Sequence, residues 1–270
     1  MNKVVLITGA SSGMGKTTAL LLLKKGYVVY GAARRTEKMD DLKKAGAKIL
    51  KMDVTDNHSM ITGIEAIINA EGHLNILINN AGFGSYGAIE DVALKDAKYQ
   101  MEVNVFGLAR LSQLVLPYMR EQGSGKIINI SSIGGKLANP FGGWYHASKF
   151  AVEALSDSLR MEIKQFGIDV IIIEPGGVKS EWSDIAMEHA KKVSQKGVYG
   201  DMVRKMIESG EKFKDKNSDP DVIASLILKA ITSKKPKTRY SGGFMAKPLL
   251  FLRKILSDKQ MDRMIMNQFK

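Results

Sequence analysis

The stretch KVVLITGASSGMGKTTALLLLKK, residues 3–25, contains the pattern that decides the fold. The apolar run at 3–8 predicts a strand buried on both faces, and residues 17–25 predict a helix that ends at Gly26, a residue type favoured at helix C-termini. Between the two stand three glycines, Gly9, Gly13 and Gly15. Glycines allow a tight turn and a close approach to a ligand, and the amides that open a helix attract phosphate. The stretch therefore predicts a phosphate-binding loop.

The same alternation of strand and helix continues to residue 176. Further strands are predicted at 27–33, 47–52, 74–78, 126–130 and 168–173, and helices at 40–44, 56–71, 95–122 and 144–166. Strands alternating with helices imply right-handed crossovers and a parallel sheet that is covered on both sides. The predicted fold class is α/β: a single doubly wound Rossmann domain over residues 1–270, a parallel sheet with helices on both faces.

The pattern changes after residue 176. Residues from about 181 to 217 are charged and weakly patterned, which is typical of a mobile lid or substrate loop. An amphipathic helix follows at 219–233, with Asp219 as its predicted N-cap and Pro220 at its first position. The tail, about 244–270, mixes large apolar residues with lysine and arginine, and we interpret it as a helical extension.

Composition narrows the location and rules out some chemistry. The chain has no cysteine, so a cysteine-based metal site or nucleophile is excluded. Its four histidines lack ligand spacing, so we expect no metal. The sequence has no apolar run of eighteen or more residues, so we expect no membrane-spanning segment. The first strand begins within a few residues of Met1, so we expect no signal peptide. These features together favour a cytoplasmic protein.

The formal net charge of +12 raises the question of an anionic partner. The basic residues are spread along the chain, and no aromatic-basic recognition motif accompanies them, so we do not expect a nucleic-acid partner. An anionic cofactor is the simpler explanation. The basic tail segment 251–256 would suit a membrane surface, but we favour burial of its apolar side over the pocket or in a subunit contact.

A nucleoside-triphosphate loop is a competing interpretation of residues 10–17. There Lys16 would hold the β- and γ-phosphates and Thr17 a magnesium ion. Such a site also needs an acid at the end of a second strand. The fourth strand instead ends in Asn79 and Asn80, and Asp53 follows a strand interrupted by a lysine. The dinucleotide interpretation is therefore favoured.

Further motifs stand at the ends of the predicted strands. They are Asn80-Ala81-Gly82, Asn104 in the following helix, Ser132, Tyr145 and Lys149 in one helix, and Pro175-Gly176. Together with the TGxxxGxG loop they resemble the short-chain dehydrogenase/reductase family over residues 1–180. The resemblance implies NADP(H)- or NAD-dependent hydride transfer between an alcohol and a carbonyl.

The chemistry of the residues agrees with that resemblance. Tyr145 and Lys149 are four apart on a helix and share one face. A free tyrosine has a pKa of about 10, and an adjacent ammonium is expected to lower it. The resemblance makes Tyr145 the proton-transfer residue, Ser132 a hydrogen-bond donor to the substrate oxygen, and Asn104 the anchor of a proton-relay water. Ser131 competes with Ser132, but strand alternation lets only one of the pair face the site.

The resemblance also supplies a set of residues expected to bind the cofactor. These are Gly9, Ser11, Ser12, Gly13, Met14, Gly15, Asp53, Val54, Asn80, Ala81, Gly82, Tyr145, Lys149, Pro175, Gly176, Val178 and Ser180. Two of them depart from the family pattern: Met14 stands where isoleucine is frequent, and Ser180 where threonine grips the nicotinamide carboxamide. At Met14 the backbone makes the contact with the cofactor, and at Ser180 a hydroxyl is still present. Neither change therefore removes the expected contact.

The end of the second strand indicates which nicotinamide cofactor is used. An NAD-selective site places an acid there, to bind the adenosine ribose and repel a 2′-phosphate. Here the position is Ala33, followed by Arg34 and Arg35. A guanidinium binds phosphate through two parallel donors. We therefore expect NADP(H), held by Arg34 with help from Arg35 and Ser11.

The substrate is a small molecule, and we expect it to be lipophilic. Large apolar residues that could line its pocket are Tyr86, Leu137, Phe141, Trp144, Trp182, Ile185, Ala186, Met187, Met202 and Met206. The tail resembles that of relatives acting on steroid-, retinoid- or acyl-like carbonyls. Family resemblance also implies a homodimer or homotetramer. A non-catalytic NADPH sensor is the alternative of another class, although it would typically have lost Tyr145 or Lys149.

Overall fold

The computed structural model describes residues 3–269, apart from the side chain of residue 268. Within that range the strands are β1 Val4–Thr8, β2 Val28–Ala33, β3 Lys48–Lys51, β4 Ile76–Asn79, β5 Gly125–Ile130, β6 Ile168–Pro175 and β7 Arg239–Gly242. They form one sheet in the order β3-β2-β1-β4-β5-β6-β7, and every pairing is parallel. A parallel sheet with helices around it confirms the predicted doubly wound α/β fold.

Helices connect those strands, and in the described range two more follow the last strand. They are α1 Gly13–Lys24, α2 Asp40–Lys44, α3 Asn57–Glu71, α4 Leu94–Met101, α5 Gly107–Glu121, α6 Gly143–Ile163, α7 Glu181–Ser194, α8 Gly200–Lys214, α9 Asp221–Thr232, α10 Ala246–Ile255 and α11 Asp258–Met266. A π-helical turn, Glu102–Phe106, joins α4 to α5. Among the described residues, no helix is long and apolar enough to cross a membrane.

The alternation of side chains along β1 builds a core on each face of the sheet. Val5 and Ile7 face a cluster that contains Leu22 of α1 and Ile227 of α9. Val4 and Leu6 face the opposite cluster, which α3 and α5 cover. All five side chains of β1 are buried because helices pack on both of its faces.

The order of the strands places the ligand site. β1 lies between β2 and β4, so the chain turns to opposite sides of the sheet on leaving β1 and on leaving β4. In open α/β sheets, ligands bind beyond the carboxyl ends of the strands at such a switch point. The glycine loop that follows β1 stands at this position.

Strand β7 is an element that the sequence did not predict. Its four residues, Arg239–Gly242, include no aliphatic side chain, so they lack the apolar run that marked the other strands. It lies at the edge of the sheet and pairs with β6 alone. The Arg239 guanidinium is 2.9 Å from the Glu153 carboxylate and 2.6 Å from that of Asp157. Ion pairs to α6 therefore hold an edge strand that has little to bury.

Two helix starts differ from the prediction. Helix α1 begins at Gly13 rather than at residue 17, so Gly15, the last glycine of the loop, already lies in its first turn. Helix α9 begins at Asp221 with Pro220 at the N-cap position. The predicted N-cap role of Asp219 is wrong, because its carboxylate lies 3.0 Å from the Lys179 ammonium.

Residues 181–217, expected to be a lid or loop, consist largely of α7 and α8. Each helix buries only a narrow stripe, and small side chains make up much of it. The buried residues are Ala186, Ala190 and Ser194 in α7, and Gly200, Val203 and Met206 in α8. Both helices are amphipathic, but they carry many charged residues and few large apolar ones, which is why the sequence composition favours a loop there.

Candidate active site

A cavity of about 900 Å³ opens at the carboxyl ends of the central strands. Nearly all the residues predicted for the site line it. They are Gly9, Ser11, Ser12, Gly13, Met14, Arg34, Arg35, Asp53, Val54, Asn80, Ala81, Gly82, Ser132, Tyr145, Lys149, Pro175, Gly176, Val178 and Ser180. Gly15 and Asn104 are the exceptions, and both lie behind the cavity wall.

The glycine loop is fixed to the neighbouring strand by side chains from β1 and β4. Gly9 and Gly13 adopt left-handed backbone conformations, with φ of 66° and 51°. The Thr8 hydroxyl accepts hydrogen bonds from the Asn80 and Ala81 amides, and the Asn80 side-chain amide donates to the Thr8 and Gly9 carbonyls. The Ser12 side chain makes no cap bond to the first turn of α1. A glycine loop, an uncapped helix start and a large cavity fit the diphosphate of a dinucleotide.

Gly15 controls how closely α1 approaches the sheet. A Cβ at this position would lie 2.4 Å from the Gly9 carbonyl oxygen and 2.5 Å from the Asn80 side-chain nitrogen. Backbone cannot move aside as a flexible side chain can. We expect Gly15→Ala to lower the free energy of unfolding by about 3 kcal/mol, as overpacking does.

Urea unfolding of that variant checks the prediction, with Gly210→Ala as the control. Gly210 lies inside α8, and a Cβ added there would have no atom within 4 Å of it. Alanine at position 210 is expected to raise the free energy of unfolding by about 0.5–1 kcal/mol, because glycine inside a helix is destabilising. Equal stability of Gly15→Ala and the wild type would contradict the close packing of α1 on the loop.

Tyr145 and Lys149 lie one turn apart on α6, and both face the cavity. Their side chains are buried despite their polarity. The Lys149 ammonium donates a hydrogen bond of 2.8 Å to the Ile130 carbonyl at the end of β5. It lies 6.0 Å from the centre of the Tyr145 ring. The sheet thus fixes the lysine, and the lysine stands beside the tyrosine.

The two serines after β5 differ in their contacts, although both line the cavity. The Ser132 hydroxyl accepts a hydrogen bond of 2.9 Å from the Gly134 amide and forms one with the Tyr145 side chain. The Ser131 hydroxyl is buried and has no hydrogen-bond partner among the described residues. Ser132 is therefore the serine associated with the tyrosine.

Asn104 lies in the π-helical turn between α4 and α5, an irregularity that is frequent at functional sites. Its side-chain oxygen accepts from the Phe83 amide at 3.0 Å. Its side-chain nitrogen donates to the Phe83 carbonyl and to the Ser148 hydroxyl. A Cβ on Gly82 would be 3.2 Å from Asn104 and 3.6 Å from the Lys149 nitrogen. Asn104 therefore connects the loop after β4 to α6.

Burial shifts the pKa values of both Tyr145 and Lys149 on α6. It raises the pKa of Tyr145 to about 12, although the hydrogen bond from Ser132 acts in the opposite direction. Burial also lowers the pKa of Lys149 to about 8, against the nearby Glu153 carboxylate, which raises it. Burial therefore opposes the lowering of the Tyr145 pKa that is expected from the adjacent ammonium. Burial disfavours the charged form of each group and dominates.

His146 is a buried residue that the sequence did not single out. Its Nδ1 lies 3.0 Å from the Gly134 carbonyl, and its Nε2 accepts from the Asn139 amide at 3.1 Å. Nδ1 must then carry the proton, and burial lowers the pKa of the ring. The neutral imidazole ties together two parts of the connection between β5 and α6, which lines the cavity next to Tyr145.

The arginines after β2 form a cationic rim at one end of the cavity. The Arg34 guanidinium donates a hydrogen bond of 2.6 Å to the Tyr99 hydroxyl and lies 3.9 Å from the Asp53 carboxylate. Arg35 lies 3.8 Å from the Glu181 carboxylate. Both arginine side chains are at least half exposed. They remain accessible to an anion that enters the cavity.

The rest of the cavity is largely apolar. Of the residues predicted for a substrate pocket, Tyr86, Leu137, Trp182, Ile185, Met187 and Met206 line it. The other residues predicted for the pocket do not line the cavity; they are Phe141, Trp144, Ala186 and Met202. The tail contributes side chains that were not predicted individually, which are Leu249, Met261, Ile265 and Phe269. The C-terminal helices thus complete the apolar part of the cavity.

The fold and this site define an oxidoreductase of the dinucleotide-binding α/β class, with a tyrosine and a lysine at its centre. The family model for short chain dehydrogenase matches residues 3–191. The chain belongs to the short-chain dehydrogenase family.

Individual relatives cover almost the whole chain. The 3-ketodihydrosphingosine reductase of Bacteroides thetaiotaomicron is 38% identical over 241 residues, 89% of this chain and 88% of that protein. The NADPH-dependent 3-dehydrocapnine reductase of Ornithobacterium rhinotracheale is 31% identical, with coverage of 99% and 98%. The crystal structure of a short-chain dehydrogenase from Streptomyces avermitilis gives a TM-score of 0.81 at 32% identity, and covers 99% of this chain and 96% of that one.

Proposed function

We propose that the protein is an NADP(H)-dependent oxidoreductase that interconverts a secondary alcohol and a carbonyl on a lipophilic substrate. The observation that carries the proposal is the buried pair of Tyr145 and Lys149, which lies beside Ser132 in a cavity continuous with the glycine loop. NADP(H), when bound, supplies or accepts the hydride. The residues that would hold it are those of the glycine loop, Arg34, Arg35, the Asp53–Val54 and Asn80–Gly82 segments, and residues 175–180.

Tyr145 is the group that exchanges the proton with the substrate oxygen. Because burial raises its pKa to about 12, its phenol is protonated at neutral pH. A protonated phenol can donate to a carbonyl oxygen that becomes an alcohol. Ser132, hydrogen-bonded to the same phenol, would donate a second hydrogen bond to that oxygen.

Lys149 and Asn104 support the tyrosine in different ways. The Lys149 ammonium, fixed by the Ile130 carbonyl, places positive charge beside the phenol and would bind the ribose hydroxyls of the cofactor. Asn104 fixes the Gly82–Phe83 loop through both polar atoms of its side chain. Its role in anchoring a water that relays protons is part of the proposal.

The proposed substrate class is supported by the apolar part of the cavity and by the names of two relatives. Aromatic, leucine, isoleucine and methionine side chains from α7, α8 and the tail line that part. Two relatives are named as reductases of a 3-keto and a 3-dehydro compound. We propose a ketone with an apolar chain, acted on in the cytoplasm by a homodimer or homotetramer. For the basic tail, we favour packing over the cavity or in a subunit contact over binding to a membrane surface.

The NADP(H) preference depends on the two arginines after β2. We expect the double change Arg34→Ala and Arg35→Ala to raise the Kd for NADPH about 10- to 100-fold, because hydrogen bonds to charged groups contribute about 1.5–3 kcal/mol. The Kd for NADH should change less than about threefold. Fluorescence titration with each cofactor checks this, with Arg204→Ala, an exposed arginine of α8, as the control. A parallel loss of NADH affinity would contradict the assignment.

The proposed function is tested by absorbance of the reduced nicotinamide with a panel of aliphatic and aromatic ketones. Oxidation of NADPH that depends on the ketone supports an enzyme. Tight NADPH binding without oxidation across the panel would instead favour a sensor that binds the cofactor without turnover.

A further inference from the structure

The indole of Trp182 lies directly against the proposed catalytic tyrosine. The centres of the Trp182 and Tyr145 rings are 4.7 Å apart, with the ring planes tilted by 54°. Trp182 also meets Tyr86 edge-on at 5.7 Å, and Tyr86 lies 5.8 Å from Tyr145. Two further aromatic rings thus stand against the phenol. Tyr145 and Tyr86 are buried, whereas Trp182 is only partly buried and lines the cavity.

The position of Trp182 depends on a glycine in the opposite loop. A Cβ on Gly84 would lie 2.6 Å from the six-membered ring of the indole. Any other residue at position 84 would push the indole away. The indole therefore reaches into the site across the loop that follows β4, and comes close to Tyr145 for that reason.

Helix α7 has anchors other than Trp182. Helix α7 is anchored further along, where Ala186 and Ala190 are fully buried. The His189 Nδ1 lies 2.7 Å from the Tyr86 carbonyl. The Ser194 hydroxyl accepts from the Ala88 amide at 2.9 Å. Since these contacts dock α7 on residues 86–88, the indole at its first turn is available for another role.

We propose that Trp182 is the substrate-positioning and selectivity residue of this enzyme, an inference that rests on the proposed function. Its indole packs against the substituent next to the reacting carbonyl and restricts access to Tyr145 to narrow, unbranched ketones. A straight alkyl chain can lie along the indole face and continue toward Met206 and the C-terminal helices, which line the same cavity. A ketone with bulky groups on both sides of the carbonyl would collide with the indole.

The first test is spectroscopic and independent of turnover. The sequence contains two tryptophans, Trp144 and Trp182. We use the full chain saturated with oxidised NADP and titrate methyl decyl ketone, a pair that cannot react. A saturable change in tryptophan emission is expected in the wild type and in Trp144→Phe, and is expected to be absent in Trp182→Phe. A change that persists in Trp182→Phe, or no change in any of the three proteins, would overturn the proposal.

The second test separates positioning from stability. For methyl decyl ketone, Trp182→Ala is expected to raise KM at least about tenfold with kcat within about threefold, and Trp182→Phe to restore KM to within about threefold of the wild type. For benzophenone, which is bulky on both sides, Trp182→Ala is expected to raise kcat/KM. Equal changes in kcat/KM for both ketones would overturn the proposed role of Trp182 in selectivity. A loss of activity that is explained by a lower melting temperature of the variant would overturn it as well. If the wild type reduces neither ketone nor any other, the proposed function fails, and the fluorescence result still decides on Trp182.

Discussion

Tyr145→Phe is expected to lower kcat/KM for ketone reduction about a thousandfold or more, with NADPH binding within about threefold of the wild type. The change removes the hydroxyl and keeps the ring, so the aromatic contacts with Trp182 and Tyr86 are retained. General acids of this kind contribute about 10²- to 10⁴-fold to the rate. Steady-state kinetics with NADPH and a reactive ketone measure the effect.

The matched control for that variant is Tyr118→Phe. Tyr118 lies on α5 and packs against the core on the opposite side of the sheet from α1. Removal of the Tyr118 hydroxyl is expected to leave kcat/KM within about twofold of the wild-type value. If Tyr145→Phe retained more than a tenth of the wild-type rate, another group would have to supply the proton.

Lys149→Met is expected to lower kcat/KM by a similar factor while the protein stays folded. The buried ammonium disfavours folding through its desolvation, so an apolar side chain of similar length removes that penalty together with the hydrogen bond to Ile130. We expect the melting temperature to change by less than about 4 °C, which corresponds to about 1 kcal/mol in a chain of this size. Activity and thermal unfolding are measured on the same preparation.

Lys126→Met provides the comparison for this variant. The Lys126 ammonium also donates to backbone carbonyls, those of Ala230, Ile231 and Ser233, and burial lowers its pKa as well. It lies near the amino end of β5, away from the cavity. We expect this variant to lose stability and to keep its activity per folded molecule. Full activity in Lys149→Met would contradict the role of the ammonium.

The pKa of Lys149 also determines how reduction depends on pH. Burial lowers that pKa to about 8, so the ammonium is present below about pH 8 and is lost as the pH rises through that value. Tyr145 keeps its proton over the same range, since its pKa is about 12. Reduction should therefore be constant below about pH 7 and decline above about pH 8. A rate that rises from pH 7 to 9 would contradict this assignment.

The strands that the sequence predicted best are those whose two faces are both buried. Strands covered on both faces are continuous apolar runs, and β1, β4 and β6 were recognised in that way. The glycine loop and the pair on α6 were found because their spacing is local. Strand β7 was missed because it is short and has no aliphatic run, and the ion pairs from Arg239 to α6 that help to hold it are revealed by no local pattern.

The protonation of the site could not be predicted from spacing. Four residues between Tyr145 and Lys149 imply proximity, and proximity alone predicts a lowered tyrosine pKa. Burial acts in the opposite direction, and it depends on Trp182, Tyr86 and the helices that enclose the phenol. For the same reason, no pattern in the sequence places Trp182 against Tyr145. That contact requires α7 to be folded onto the loop after β4.

The most direct test of the central claim follows the hydride. The full-length protein is incubated with a reactive ketone and with NADPH that carries deuterium at the transferable position of the nicotinamide, and the alcohol is examined by mass spectrometry. We predict one deuterium on the carbinol carbon with the wild type, and no labelled alcohol above background with Tyr145→Phe. An unlabelled alcohol from the wild type, or equal labelling by the two proteins, would contradict hydride transfer assisted by Tyr145.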